Sequence, residues 1–119
     1  RNFIMKHTIN RGDVFYANLK SDGTSRQSGI RPIIVISNPQ CNRHSPIISI
    51  LTCTTSRTKH PLPTHISLPA AETGMKYDSI CLCEQPMSIA KTDLLEFVTS
   101  LSDEHMEKVN AGLRCQLCL

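Results

Sequence analysis

The chain has 119 residues, with 13 Lys and Arg against 10 Asp and Glu and a formal net charge of +3. That length fits one domain with a real core and is short for two. It holds no apolar run long enough to cross a bilayer, and its start lacks the apolar stretch and cleavage site of a secretory leader. Tryptophan is absent beside three Phe and two Tyr, which argues against a sheet that stacks many bases on aromatic rings.

A cytoplasmic location without a membrane partner is the resulting expectation. The mild positive charge permits a polyanionic partner without requiring one. Residues 1–8 are expected to form an N-terminal tail, with Met5 close behind a start that lacks Met, and residues 9–119 a single domain.

In chain order, residues 11–19 alternate after a Gly12-Asp13 opening and read as a first strand. Residues 20–30 form a polar connection that is longer than a hairpin needs, and loops of that length tend to be functional. This loop ends at Arg31, and Pro32 opens the apolar, β-branched strand that runs to Ile36. An arginine placed where a loop meets a rigid strand suits a fixed cation that holds a phosphate. Residues 37–44 read as a turn, 45–55 as a strand, 56–61 as a second polar loop, 64–68 as a short strand, and 78–85 as a strand ending in Glu84-Gln85. Short strands separated by Gly, Pro and Ser loops predict a small barrel. Residues 92–97 read as one or two helical turns. Ser102 then caps a longer helix, with Asp103 and Glu104 in its first turn and an apolar stripe of Met106, Val109, Leu113 and Leu117 that packs on the barrel.

The six cysteines admit a zinc or a disulfide reading. Cys81 and Cys83 alternate along a strand and point to one face, which makes them poor tetrahedral partners. Cys115 and Cys118 have the spacing of half a zinc knuckle, but no second CxxC exists to complete it. Small buried hydrophobes are the favoured reading, and no metal or cofactor is expected. Asp13, Asp22, Asp78 and Glu84 are too scattered along the chain to suggest a two-metal nuclease.

Five separated segments then carry a family likeness: residues 11–17 (Arg11-Gly12-Asp13-Val14-Phe15-Tyr16-Ala17), Gly29-Ile30-Arg31-Pro32, Leu62-Pro63-Thr64-His65, Leu82-Cys83-Glu84-Gln85, and residues 102–110. Together they resemble the MazF/PemK toxins, the ribonuclease halves of bacterial toxin–antitoxin pairs. The resemblance implies an SH3-like barrel, mainly β with short helices and a C-terminal helix packed on it, assembled as a two-fold homodimer. It also implies metal-independent cleavage of single-stranded RNA, inhibition of translation, and neutralisation by a cognate antitoxin. By the same resemblance Arg31 and Thr54 are the catalytic residues, and Gln27, Ser25, Glu84 and Gln85 are RNA contacts. Two departures stand out. Ser28 replaces the first of two usual glycines, and Pro86-Met87 replaces an Ile-Arg pair, which removes a cation from the RNA path.

The residues also support this chemistry on their own terms. RNA carries its own nucleophile, the 2′-hydroxyl beside the scissile phosphate. Arg31 offers a planar fork of donors that stays charged at any working pH, and Thr54 can add one more hydrogen bond. The proton carriers are left open: His44 and His65 are candidates, with a backbone-bonded structural role the favoured reading for His65, while His7, His60 and His105 read as surface residues. An antitoxin segment, acidic and disordered, is expected to block Arg31 and displace residues 20–30. The alternatives are an RNA-binding barrel without turnover and a gyrase inhibitor. The latter acts through a C-terminal tryptophan that this chain lacks.

Overall fold

A computed structural model describes residues 8–24, 26–56 and 61–119. The described elements are β1 (Asp13–Leu19), β2 (Gly29–Val35), α1 (Pro39–His44), β3 (Ile47–Thr54), β4 (His65–Leu68), α2 (Ala70–Thr73), β5 (Ser79–Ala90), a 3-10 turn (Lys91–Asp93), β6 (Leu94–Ser100) and α3 (Asp103–Leu117). The strands form one antiparallel sheet in the order β4-β5-β3-β2-β1-β6. Mainly β architecture with short helices and a C-terminal helix is what the sequence predicts.

The expected barrel takes the form of a curled sheet whose hydrogen-bond ladder is open among the described residues, with β4 and β6 at its two ends. The curl brings those ends close. Thr99 Oγ1 in β6 donates to the Thr73 carbonyl in α2 at 3.1 Å, and Lys76 Nζ lies 3.3 Å from Glu96 Oε1. Gly74 makes this approach possible. Its φ of 81° ends α2 in the left-handed region, and a Cβ there would meet Thr99 Oγ1 at 2.9 Å.

Strand alternation divides the core between the two faces of the sheet. Phe15, Ala17, Leu19, Ile33, Val35, Ile48 and Ile50 pack on one face, joined by Ile9, Ile89 and Leu94. Val14, Ile34, Leu51, Cys53, Leu68, Cys81 and Cys83 pack on the other, where Met106, Val109 and Leu113 of α3 cover them. Burial of a side chain such as Val109, fully shielded from water, stabilises by roughly 1.5–3 kcal/mol. Gly112 lets the helix lie close to β5, since a Cβ there would meet Cys83 Sγ at 2.6 Å.

Four local expectations are corrected. Residues 39–44 form α1 instead of a turn: Asn38 accepts from the Cys41 N–H as N-cap, and Pro39 begins the helix. Residues 94–97 belong to β6, and only the preceding 91–93 segment is helical. Register shifts in the β1–β6 ladder, on either side of the Phe15–Phe97 pair, break the period of two that would mark a strand. Leu117 is 51% exposed, so the packed stripe of α3 ends at Leu113. His105 is buried, with Nδ1 3.0 Å from Ser102 Oγ and Nε2 3.1 Å from Glu72 Oε1, and so ties the start of α3 to α2. His7 and His60 lie outside the described residues, as do most of the expected tail and of the 56–61 loop.

Candidate functional site

The β2–β3 ladder pairs Ile33 with Thr52, Ile34 with Leu51 and Val35 with Ile50. Carried two residues further in the same register, it brings Arg31 opposite Thr54. Both residues line one cleft of about 350 Å³, together with Tyr16, Ile30, Pro32, Met75, Lys76, Tyr77 and Val98. The sequence-predicted pair therefore meets in space.

Each side chain is held by backbone. Arg31 Nε donates to the Ser28 carbonyl at 2.9 Å, which aims the guanidinium and leaves its terminal nitrogens for a ligand. Gly29 supplies the bend behind it with φ of 83°, whereas Ser28 keeps negative φ. The missing first glycine thus imposes no backbone strain. Thr54 is 8% exposed, and its Oγ1 accepts from the Ser56 N–H at 3.1 Å. That bond occupies a lone pair and leaves the hydroxyl hydrogen to be donated into the cleft.

Loop 20–30 is internally tied where it is described. Asp22 Oδ1 accepts from the Thr24 N–H, Thr24 Oγ1 accepts from the Arg26 N–H, and Arg26 Nε lies 3.4 Å from Asp22 Oδ2. The hydrogen bond from the Thr24 hydroxyl holds the Asp22 carboxyl below its ordinary range. Ser25, one of the expected RNA contacts, lies outside the described residues.

Glu84, Gln85 and Gln27 meet in a second place. The β3–β5 ladder jumps from Leu51–Pro86 to Thr52–Leu82, so residues 83–85 have no partner in β3. That break turns Glu84 and Gln85 toward a second cleft of about 410 Å³, which Thr24, Arg26, Pro86 and Met87 also line. Gln85 Oε1 accepts from the Gln27 N–H at 3.0 Å, which anchors loop 20–30 and leaves the Gln85 amide hydrogens free to donate. Arg26 is the basic residue lining this cleft, which Pro86 and Met87 leave without a second cation.

Glu84 is committed inside the chain. Its Oε1 accepts from Thr64 Oγ1 at 2.9 Å, and its Oε2 lies 2.9 Å from His65 Nε2. His65 Nδ1 accepts from the Leu62 N–H at 3.2 Å, so the ring proton sits on Nε2 and points at Glu84. This is the backbone-bonded structural histidine that the sequence favours. His44 ends α1, exposed, and His105 fastens α3, so none of these three histidines lines the Arg31 cleft.

Cys81 and Cys83 do share a face, with their sulfurs 4.0 Å apart, and Cys53 faces Cys81 across the strands. Hydrogen bonds with the Cys53 and Cys83 thiols, together with burial, push the Cys81 thiol well above its ordinary range, as suits an inert core group.

A curled antiparallel sheet that carries one backbone-fixed arginine and one hydroxyl donor in a shared cleft defines a small β protein with a candidate site for an anion. A family model described as PemK-like, MazF-like toxin of type II toxin-antitoxin system matches residues 10–117. Endoribonuclease EndoA of Bacillus subtilis (strain 168) is 40% identical over 111 residues, covering 93% of this chain and 96% of that protein. Endoribonuclease MazF of Staphylococcus saprophyticus is 35% identical over 111 residues, covering 93% of this chain and 92% of that protein. The crystal structure of MazF from Deinococcus radiodurans matches the fold with a TM-score of 0.81 at 20% identity, over 96% of this chain and 100% of that one. A MazE-MazF structure from the same organism matches with a TM-score of 0.76 at 18% identity, over 96% of this chain and 99% of that one. The chain belongs to the PemK-like, MazF-like toxins of type II toxin-antitoxin systems.

Proposed function

We propose that the protein is a sequence-specific endoribonuclease that cuts single-stranded RNA without a metal, works in the cytoplasm as a homodimer, and is held in check by a cognate antitoxin. The observation that carries this reading is the shared cleft of Arg31 and Thr54. The endoribonuclease names of relatives at 35–40% identity support the activity. The MazE-MazF structures among the fold neighbours support the antitoxin. Exposed Ile30, Ile47 and Leu95, together with open sheet edges at β4 and β6, support a partner copy.

In the proposed reaction the terminal nitrogens of Arg31 grip the non-bridging oxygens of one phosphate, and the Thr54 hydroxyl donates to the same group. The neighbouring 2′-oxygen then attacks phosphorus in line and gives up its proton. The bond to the 5′-oxygen breaks and that oxygen takes up a proton, leaving a 2′,3′-cyclic phosphate and a 5′-hydroxyl. Charge builds on the phosphorane oxygens, where the two fixed donors are aimed. Each such donor is typically worth ~10²–10³ in rate. Arginine keeps its charge throughout, so its part is alignment and electrostatics.

Gln85 and Gln27 form the proposed RNA-contacting side, and the family likeness adds Ser25 and Glu84 to the proposal. Here the Gln85 amide donates to a base edge, while Glu84 acts through the segment it holds. The test is incubation of a defined single-stranded RNA with the protein in excess chelator, followed by end analysis. Cyclic phosphate ends support the reading, and intact RNA refutes it. Salt-dependent binding of uncut RNA would point to a binding barrel instead.

A further inference from the structure

The cleft that holds Arg31 and Thr54 has a second wall, built by residues 75–77 between α2 and β5. Gly74 turns the chain there, and the close contact with Thr99 fixes where the wall stands. Lys76 Nζ lies 5.3 Å from the centre of the Tyr16 ring and 3.3 Å from Glu96 Oε1. Tyr77 is 65% exposed although it lines a cleft floored by Pro32, Met75 and Val98. Two tyrosine rings and a cation thus flank the phosphate-holding pair over an apolar floor.

We propose that Tyr16, Lys76 and Tyr77 form a nucleotide subsite beside the scissile bond, in which one base stacks on a tyrosine face and Lys76 takes the next phosphate. This rests on the nuclease reading above and adds substrate-binding residues to it. The cleft volume of about 350 Å³ stands near the small end of ligand pockets and suits a single nucleoside. Every base has a π-face, so a tyrosine platform grips single strands without demanding a particular hydrogen-bonding edge. Besides its contact with the Tyr16 ring, Lys76 is held by a surface pair, with side-chain exposures of 49% and 61% for Lys76 and Glu96. Such pairs contribute little and are screened by salt, so a phosphate can displace Glu96. The lone lysine agrees with a point contact, while the bidentate grip belongs to Arg31.

The test uses Tyr77→Ala, Tyr77→Phe, Lys76→Met and Glu96→Gln in the full chain. Cleavage is followed on an all-ribose oligonucleotide. Binding is followed on the same oligonucleotide with a single 2′-deoxy sugar at the cut site, which removes the nucleophile. The expected result is a KM and a Kd raised about 5- to 150-fold in Tyr77→Ala, the range of one lost stacked base, with kcat little changed and recovery in Tyr77→Phe. Lys76→Met lowers the slope of log affinity against log salt by about one phosphate contact, and Glu96→Gln tightens binding. Unchanged Kd, KM and salt slope in Tyr77→Ala and Lys76→Met overturn the subsite. Binding to the deoxy-substituted strand decides the matter even if the unaltered protein fails to cut the all-ribose RNA, a result that would count against the nuclease reading alone.

Discussion

Arg31 and Thr54 stand 23 positions apart in sequence, yet both line one cleft, each two residues beyond the last pair of the β2–β3 ladder. The paired part of the ladder stops at Ile33 and Thr52. Among the described residues the two strands are not paired with each other beyond that point. Backbone groups fix both side chains, Arg31 through Ser28 and Thr54 through Ser56. A donor that is already aimed loses nothing to reorganisation when charge develops.

Thr54→Val keeps the shape and removes the hydroxyl. We expect kcat to fall about 10²- to 10³-fold and stability to drop by about 1 kcal/mol as the Ser56 N–H loses its acceptor. Thr54→Ser should retain most of both. Single-turnover cleavage alongside thermal melting separates the two effects. A Thr54→Val protein that cuts at the normal rate removes this residue from the chemistry.

Glu84→Ala leaves the Thr64 hydroxyl and the His65 Nε2–H without their acceptor in a partly buried place. The expected cost is about 1–3 kcal/mol, and proteolysis should quicken in the segment before β4. Glu84→Gln keeps one acceptor and should lose less. Limited proteolysis with mass spectrometry reads this directly, and an unchanged cleavage pattern in Glu84→Ala would show that the carboxylate holds nothing in place.

Gly112→Ala pushes a methyl group against Cys83 Sγ, where the ideal distance would be 2.6 Å. The atom in the way belongs to a short buried side chain with little room to move, so overpacking should cost about 1–3 kcal/mol. Adding Cys83→Ala vacates that space, and the double variant should be more stable than Gly112→Ala alone. Denaturant melts of the four proteins form the cycle, and strict additivity would contradict the packing.

The thiols divide by burial. Cys115 and Cys118 are exposed and should alkylate fastest at pH 8, Cys41 more slowly, and Cys53, Cys81 and Cys83 only on unfolding. The folded chain keeps the Cys81 proton more firmly than the unfolded chain does. The stability this gives is therefore full below the ordinary thiol pKa of about 8.5 and declines as pH rises past it. Cys83 moves the other way, drawn down by its hydrogen bond with Cys81, so the alkaline loss is assigned to Cys81. Melting temperatures from pH 7 to pH 10 should fall less steeply in Cys81→Ala than in the unaltered chain.

Alternation in some strands, and short apolar, β-branched runs between turn residues in others, made five of the six strands legible in the sequence. β6 escaped because its bulged pairing with β1 mixes the two faces, and Leu94, Phe97 and Val98 then mimic helical spacing. The helix α1 escaped because its six residues are too few to show a period, although Asn38-Pro39 carries a start signal. His105 looked like a surface residue because its burial depends on Glu72, 33 positions away. Arg31 was readable from its place between loop and strand, and Thr54 only through the family likeness, since a threonine in a strand is ordinary. The internal commitment of Glu84 had no sequence signal. It arises from a jump in the β3–β5 register that composition does not encode.

Whether the Arg31–Thr54 cleft is the seat of RNA cleavage is tested by mapping the ends of a defined single-stranded RNA cut in EDTA by the unaltered protein and by Arg31→Ala. The expected products carry 2′,3′-cyclic phosphate and 5′-hydroxyl ends, with the variant at least about 10²-fold slower. Cleavage by Arg31→Ala at the unaltered rate, or products with 5′-phosphate ends, would contradict it.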